Sequence, residues 1–261
     1  MKPKTLTELL ATQVPDVKFV LEPRMLSMGG SLVIYGQAET WKSWAVLDLA
    51  TAVSEGRPWL VFPSSRQKVL LIQTELTEFM YQDRVLAFVK QALGGKVPEN
   101  GHQPLFVNDQ ELKLDTWQGG QVLDEWVKTY GIGVVIIDCL YASLASGTTK
   151  DEIAIQKLID AAKRIQAKHN TSVVIVHHKR KEDRETDSDK RFEEMTGTAK
   201  LGYWADTIFR FSHIDRAEDT VKIAIEKERH AKERSKDLVL KFDRQQLRLV
   251  TYAGIPTSRG G

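Results

Sequence analysis

Cysteine is nearly absent from this chain: Cys139 is the only one in 261 residues. A disulfide framework within the chain is thereby excluded, and a cytoplasmic setting is the simplest expectation. Long apolar runs are missing too. No stretch approaches the roughly 20 residues that cross a bilayer, so no membrane partner is expected. The opening MKPKTLTELL lacks the apolar centre of a signal peptide. An excess of one charge sign is also lacking. A net charge of +2 creates no global basic field, so any nucleic-acid surface has to be local. What the chain does have is 42% hydrophobic residues, ample for one real core, and 28% charged residues, which mark a soluble globular protein.

Residues 1–30 are mixed, with Pro15, Pro23 and the pair Gly29-Gly30, and read as a lead-in that packs on the core. SLVIY (31–35) is a short apolar strand ended by Gly36. From Ser43 the spacing turns helical, with Trp44, Leu47, Ala50 and Ala52 on one face and Gly56 and Pro58 as the stop. The pattern then alternates. Buried strands are expected over 68–73, 133–138 and 171–178, a further strand over 104–108, and helices over 77–93, 121–131 and 151–168. Unbroken apolar strands between amphipathic helices predict an α/β fold with a mainly parallel sheet covered on both faces. After residue 205 the strands follow one another closely, near 207–211, 220–227, 237–242 and 246–252, and predict C-terminal antiparallel strands extending that sheet.

GQAETWKS, Gly36 to Ser43, fits G-x-x-x-x-G-K-[ST] at every fixed position but one, because Trp41 stands where the second glycine belongs. A strand precedes it and a helix follows. The backbone N–H groups of Gln37, Ala38, Glu39, Thr40 and Trp41, with the helix start through Trp44, suit a phosphate cradle. Lys42 would reach the outer phosphates of ATP, and the Ser43 hydroxyl would ligate Mg²⁺. Glycine at the departed position relieves crowding, so Trp41 has to hold its side chain outward. A degenerate loop that binds nucleotide weakly is the competing reading.

Asp138 ends GVVIID, where an acid faces the ligand crevice and would hold Mg²⁺ through water. A turn-capping aspartate is the rival reading. Glu75 follows the strand KVLLIQ on the same crevice edge and would orient and deprotonate the attacking water. Its rival role is a dipole-favoured acid before the helix that starts near Thr77. His177 and His178 end TSVVIV, and alternation along a strand lets only one of them face the nucleotide. A metal site there is disfavoured, because no cysteine or carboxylate lies at ligand spacing nearby in sequence.

In order and spacing, YGQAETWKSWAVLDLA, LLIQTEL, VVIIDCL, VVIVHHKRK, TGTAKLGYWADTIFRF and IEKERHAKERSKDLVLKFD resemble the RecA-like ATPases of the DnaB-type and RepA-type replicative helicase group. The resemblance covers roughly residues 25–250. The expected organisation is a lead-in over 1–30, a RecA-like ATPase domain over 31–252 and a flexible tail over 253–261. The resemblance implies that Glu75 is the catalytic glutamate, Asp138 the Walker B acid and His178 the sensor at the strand end. Arg84 falls where the DnaB-type helicases keep an arginine. Thr196-Gly197-Thr198 resembles the glycine-serine element before the pair Ala205-Asp206. Lys227 and Arg229 resemble a K-x-R pair that reaches into a neighbour's nucleotide site, which implies a homo-oligomeric, hexameric ring.

Two loops would face the centre of such a ring. Residues 141–150 are small and polar and suit a mobile loop. Residues 179–194 hold Lys179, Arg180, Lys181, Arg184, Lys190 and Arg191, candidates for single-stranded DNA. Seven acids in the same stretch offset these six bases, so a solvated charged loop is an equal reading. The stretch 222–248, with nine Lys or Arg against five Asp or Glu, is a further basic surface for DNA or a subunit contact. The expected function is a ring-forming ATPase on DNA, of helicase or translocase type. The alternatives are a recombination or strand-exchange mediator, a nucleotide-gated regulator with little hydrolysis and, disfavoured for want of an arginine-rich lid, a small-molecule P-loop kinase.

Overall fold

The computed structural model describes residues 3–12, 17–99, 101–148, 151–178, 199–231 and 233–252. Its centre is a nine-stranded sheet. In chain order the strands are β3 (Ser31–Gly36), β4 (Val69–Gln73), β5 (Leu105–Asn108), β6 (Val134–Asp138), β7 (Ser172–His178), β8 (Thr207–Asp215), β9 (Thr220–Glu228), β10 (Leu238–Asp243) and β11 (Arg248–Thr251). A small hairpin, β1 (Phe19–Leu21) and β2 (Leu26–Ser27), precedes them. In space the sheet runs β11-β10-β9-β8-β3-β7-β6-β4-β5. Strands β3 to β8 pair in parallel and β8 to β11 antiparallel, as the switch from helix-separated to closely spaced strands predicts. Strands β3, β4 and β6 are buried along their whole length, which is why they read as unbroken apolar runs.

Helices α2 (Lys42–Glu55) and α3 (Glu78–Ala92) share one core with the β1–β2 hairpin. Helices α4 (Trp117–Tyr130), α5 (Glu152–His169) and α6 (Ala199–Trp204) share the other. The helices after β3 and β6 therefore lie on opposite faces of the sheet. In such open sheets the ligand crevice forms at the carboxyl ends of the strands where the winding reverses.

Three local expectations change. The first helix, α1 (Leu6–Ala11), buries no side chain, so only the β1–β2 part of the lead-in packs on the core, through Val20, Leu21, Met25 and Leu26. Helix α4 begins four residues earlier than its apolar spacing suggests. Thr116 caps Gly119 N at 3.0 Å, and a Cβ at Gly119 would lie 2.0 Å from the Lys113 carbonyl oxygen. Gly119 is thus where the first turn of the helix packs directly on the preceding backbone. Residues 141–148 are not a loose loop: Tyr141–Ser143 form a 3-10 turn, Ser143 and Leu144 are buried, and Lys113 Nζ donates to Ala142 O at 2.8 Å.

Candidate nucleotide site

The loop from Gly36 to Trp41 leaves the centre of the sheet and ends in helix α2. Gly36 sits at φ 149°, and a Cβ there would lie 2.0 Å from the Phe211 carbonyl oxygen, so no larger residue fits between β3 and β8. The loop is tied inward by Gln37 N, which donates to Phe211 O at 3.3 Å, and by Thr40 Oγ1, which donates to Gln37 O at 2.8 Å. Exposed Glu39 pairs with Arg216 at 3.1 Å, and Ala38 lies half-buried beside it.

Trp41 precedes the helix at φ 64°, ψ 17°, the left-handed conformation that a glycine tolerates best, and offers no side-chain cap to the first turn. Its ring does point away from the loop, yet not into open solvent. It stacks on Phe242 of β10, with centroids 3.9 Å apart and planes 2° from parallel, and Arg244 lies 5.2 Å from its centroid. The next residues are placed by helix α2. Lys42 is only 2% exposed and curls back, its Nζ donating to Gly36 O at 3.2 Å, to Thr40 Oγ1 at 3.1 Å and to Gln37 O. Burial pulls its pKa down to about 8, against the opposing charges of Asp138 and Glu75.

Three neighbouring strands deliver the polar groups. The register Gly36↔His178 between β3 and β7, and Gln73↔Asp138 between β4 and β6, bring their ends to one edge. Asp138 is 6% exposed, and burial pushes its pKa up to about 6, the Ser43 hydroxyl pulling it back. Its Oδ1 is buried and has no hydrogen-bond partner among the described residues. A buried carboxylate oxygen without a partner, next to a serine hydroxyl, fits a hard cation such as Mg²⁺.

Glu75 extends beyond β4 with its side chain 38% exposed. Its Oε1 accepts from the Tyr141 hydroxyl at 3.0 Å, and its Oε2 lies 3.7 Å from His178 Nε2. His178 therefore faces the site while His177 is buried, as strand alternation demands. Burial and the Lys42 charge hold His178 down to about pKa 4, so it is a neutral imidazole at neutral pH. Trp44 and Arg84 complete the outer wall. The guanidinium sits 5.6 Å from the Trp44 centroid, and both line a cleft of about 260 Å³ with Glu39, Thr40, Trp41, Lys42, Ser43 and His178.

Two residues of this edge escape a reading of the sequence. Cys139 follows Asp138 directly and Tyr141 opens the turn two residues later, and only the fold brings both to Glu75. The reasoning that set aside metal ligation near the histidines also needs correction. Glu75, Cys139 and His178 are remote in sequence, yet their ligand atoms converge within 4.8 Å of one another.

Lys227 and Arg229 lie elsewhere. Lys227 pairs with Ile208 at the start of β8, whereas Gly36 is level with Phe211, so the K-x-R pair sits toward the opposite edge of the sheet. Lys227 Nζ donates to Gly202 O at 2.6 Å. Arg229 pairs with Asp206 at 2.7 Å and donates to Tyr203 O at 2.9 Å. The pair does not serve its own chain's nucleotide site. Among the bases of 222–248, Lys222, Lys241, Arg244 and Arg248 each pair with an acid, which reduces that stretch as a free basic surface. Lys179, Arg180, Lys181, Arg184, Lys190, Arg191 and Thr196-Gly197-Thr198 lie outside the described residues.

A parallel sheet with a glycine-to-lysine loop at its centre, an acid ending the strand two places away and antiparallel strands beyond defines a RecA-like P-loop NTPase. Residues 1–184 match the AAA_25 family, an AAA domain, and the chain belongs to that family. No curated protein matches it. Among solved structures, one isolated ATPase domain superposes with a TM-score of 0.64 at 13% identity, over 86% of this chain and 85% of that one. A DnaB-like replicative helicase, solved for its interactions with primase, gives 0.63 at 13% identity over 86% of this chain but 58% of its own length. The RadB recombinase gives 0.59 at 15% identity over 86% and 91%. These likenesses, at 13% to 15% identity, show that the chain shares the fold of these proteins. No helix among the described residues is long and apolar enough to cross a membrane.

Proposed function

We propose that this chain hydrolyses ATP as a DNA-linked motor of helicase or translocase type, acting as a ring, hexameric by the resemblance, whose sites are shared between subunits. One observation carries this reading: Lys42, Asp138, Glu75 and His178 converge beside the glycine-to-lysine loop at one sheet edge. Gly36 and the loop backbone hold the phosphates, and Lys42 turns from the loop carbonyls toward them. Ser43 and Asp138 would hold Mg²⁺, which when bound neutralises phosphate charge. Glu75, aligned by Tyr141, orients the attacking water and accepts its proton. Neutral His178 offers a hydrogen bond toward the terminal phosphate and links it to the segment that follows β7. Arg229 and Lys227, turned away from their own site, complete the site of the next subunit, where an arginine supplied in trans is worth about 10³–10⁵ in rate.

Lys179, Arg180, Lys181, Arg184, Lys190 and Arg191 are the bases assigned to single-stranded DNA. ATP turnover measured with and without single-stranded DNA, for the wild type and for Lys42→Ala, tests the proposal. Stimulation by DNA and loss of turnover in the variant are expected; a rate indifferent to both would overturn it. The RadB-like fold keeps a recombination mediator in view, and filaments growing along single strands instead of closed rings would favour it. The stacked Trp41 argues against a regulator that barely hydrolyses, since its ring is seated on Phe242 of β10.

A further inference from the structure

Beside the hard-oxygen pair Ser43 and Asp138 stands a second set of donors of different chemistry. Cys139 Sγ lies 3.6 Å from Glu75 Oε2, and His178 Nε2 lies 3.7 Å from the same oxygen. A tetrahedral zinc ion, with bonds of about 2.3 Å to sulfur and about 2.0–2.2 Å to nitrogen and oxygen, separates sulfur from oxygen by about 3.6 Å and nitrogen from oxygen by about 3.4 Å. Two edges of the donor triangle already have that length to within a few tenths of an ångström, and all three atoms fall within 4.8 Å of one another. We propose that Glu75, Cys139 and His178 form a binding site for a soft divalent cation of the zinc type, distinct from the Mg²⁺ position.

The chemistry of the set favours that class. Thiolate and imidazole select zinc or cobalt(II) over magnesium. The Tyr141 hydroxyl bonds Glu75 Oε1, which leaves Oε2 turned toward the sulfur and the imidazole. Neutral His178 has a free electron pair to give. Glu75 and His178 are 38% and 27% exposed and form the entry side, with buried Cys139 at the floor. Binding replaces the S–H bond by an S–metal bond, and the proton leaves to solvent, so affinity rises with pH. The fourth position is open to water, as in zinc sites with three protein ligands. A cation held there occupies the carboxylate assigned above to the attacking water. Zinc is therefore an inhibitor of turnover, a consequence that rests on that assignment, whereas the binding does not.

Cobalt(II) chloride titrated into the full, nucleotide-free chain tests the site. Because Cys139 is the sole cysteine, a sulfur-to-cobalt charge-transfer band can arise from this residue alone. One equivalent and a visible band are expected, displaced by zinc. Cys139→Ser should lose the band, and both Cys139→Ser and His178→Ala should weaken cobalt binding at least about tenfold. A wild type without the band, or a Cys139→Ser variant that binds cobalt equally well, overturns the proposal. In the turnover assay, zinc should inhibit the wild type at concentrations at least about tenfold below those needed for Cys139→Ser; equal inhibition of the two also overturns it. Should the wild type bind cobalt through sulfur yet never hydrolyse ATP, the functional reading falls and the metal site stands.

Discussion

Trp41 and Phe242 lie face to face, 3.9 Å between centroids and 2° from parallel, though one precedes the helix of the phosphate loop and the other belongs to a C-terminal strand. The stack accounts for a tryptophan at a left-handed backbone position. That conformation costs an ordinary residue about 1–2 kcal/mol, and an aromatic pair returns about 0.5–1.5 kcal/mol beyond its buried area.

The stack separates two variants at one position. Trp41→Ala loses the ring and keeps the strain, whereas Trp41→Gly loses the ring and relieves it. Trp41→Gly should be the more stable of the two by about 1 kcal/mol in equilibrium denaturation, and it should retain nucleotide binding because glycine suits the loop. Phe242→Ala removes a buried ring and should lower stability by about 3–5 kcal/mol. Equal stability of the two Trp41 variants would count against the left-handed turn.

Glu75 carries the next prediction. Glu75→Gln keeps the shape and removes the base, so turnover should drop by about 10²–10⁴ while nucleotide affinity is retained. Tyr141→Phe removes the hydroxyl that orients the carboxylate. It should lower kcat by a smaller factor and leave KM unchanged. Single-turnover assays with equilibrium binding distinguish these effects, and a Glu75→Gln enzyme with normal turnover would remove the residue from the reaction.

Arg229 is bound within its own chain to Asp206 and the Tyr203 carbonyl, far from its own phosphate loop. Arg229→Ala should therefore cut turnover and spare nucleotide binding. Glu75→Gln and Arg229→Ala subunits, each inactive alone, should regain activity when mixed, because some interfaces then pair an intact Glu75 with an intact Arg229. Mixtures with no gain would exclude a site shared across subunits.

The parts that were legible in the sequence are those set by local chemistry. Strands β3, β4, β6 and β7 read directly because both their faces are buried; Glu75, Asp138 and His178 follow as residues at or just beyond strand ends, and Lys42 as the first residue of the helix after the glycine loop. What was not legible depends on contacts between distant segments. Phe242 as the seat of Trp41 is one case, and Cys139 and Tyr141 as neighbours of Glu75 are another. Helix α1 gives the converse: its capping box, with Thr5 and Glu8, makes it locally sound, yet no side chain of it is buried. The start of helix α4 at Trp117 was likewise not legible, because only the fold reveals the Lys113 carbonyl packed against Gly119.

The buried charges at the site predict proton exchange that changes sign with pH. Lys42 is held down to about 8, so above that pH it is mostly neutral in the free protein. Phosphate charge placed beside it raises its pKa, and binding of nucleotide at about pH 9 should take up close to one proton. Asp138 is pushed up to about 6, so below that pH it is mostly protonated. Binding of Mg²⁺ with nucleotide needs the carboxylate, and at about pH 5.5 it should expel that proton, weakening Mg²⁺-dependent affinity as pH falls. Calorimetry in buffers of different ionisation enthalpy measures both. The nucleotide's own phosphates titrate near the lower window, so Asp138→Asn isolates the side chain. That variant should lose the release attributable to Asp138 and keep the uptake at high pH. Release unchanged in Asp138→Asn would detach Asp138 from the metal, and no uptake at about pH 9 would mean that Lys42 does not turn from the loop carbonyls to the phosphates.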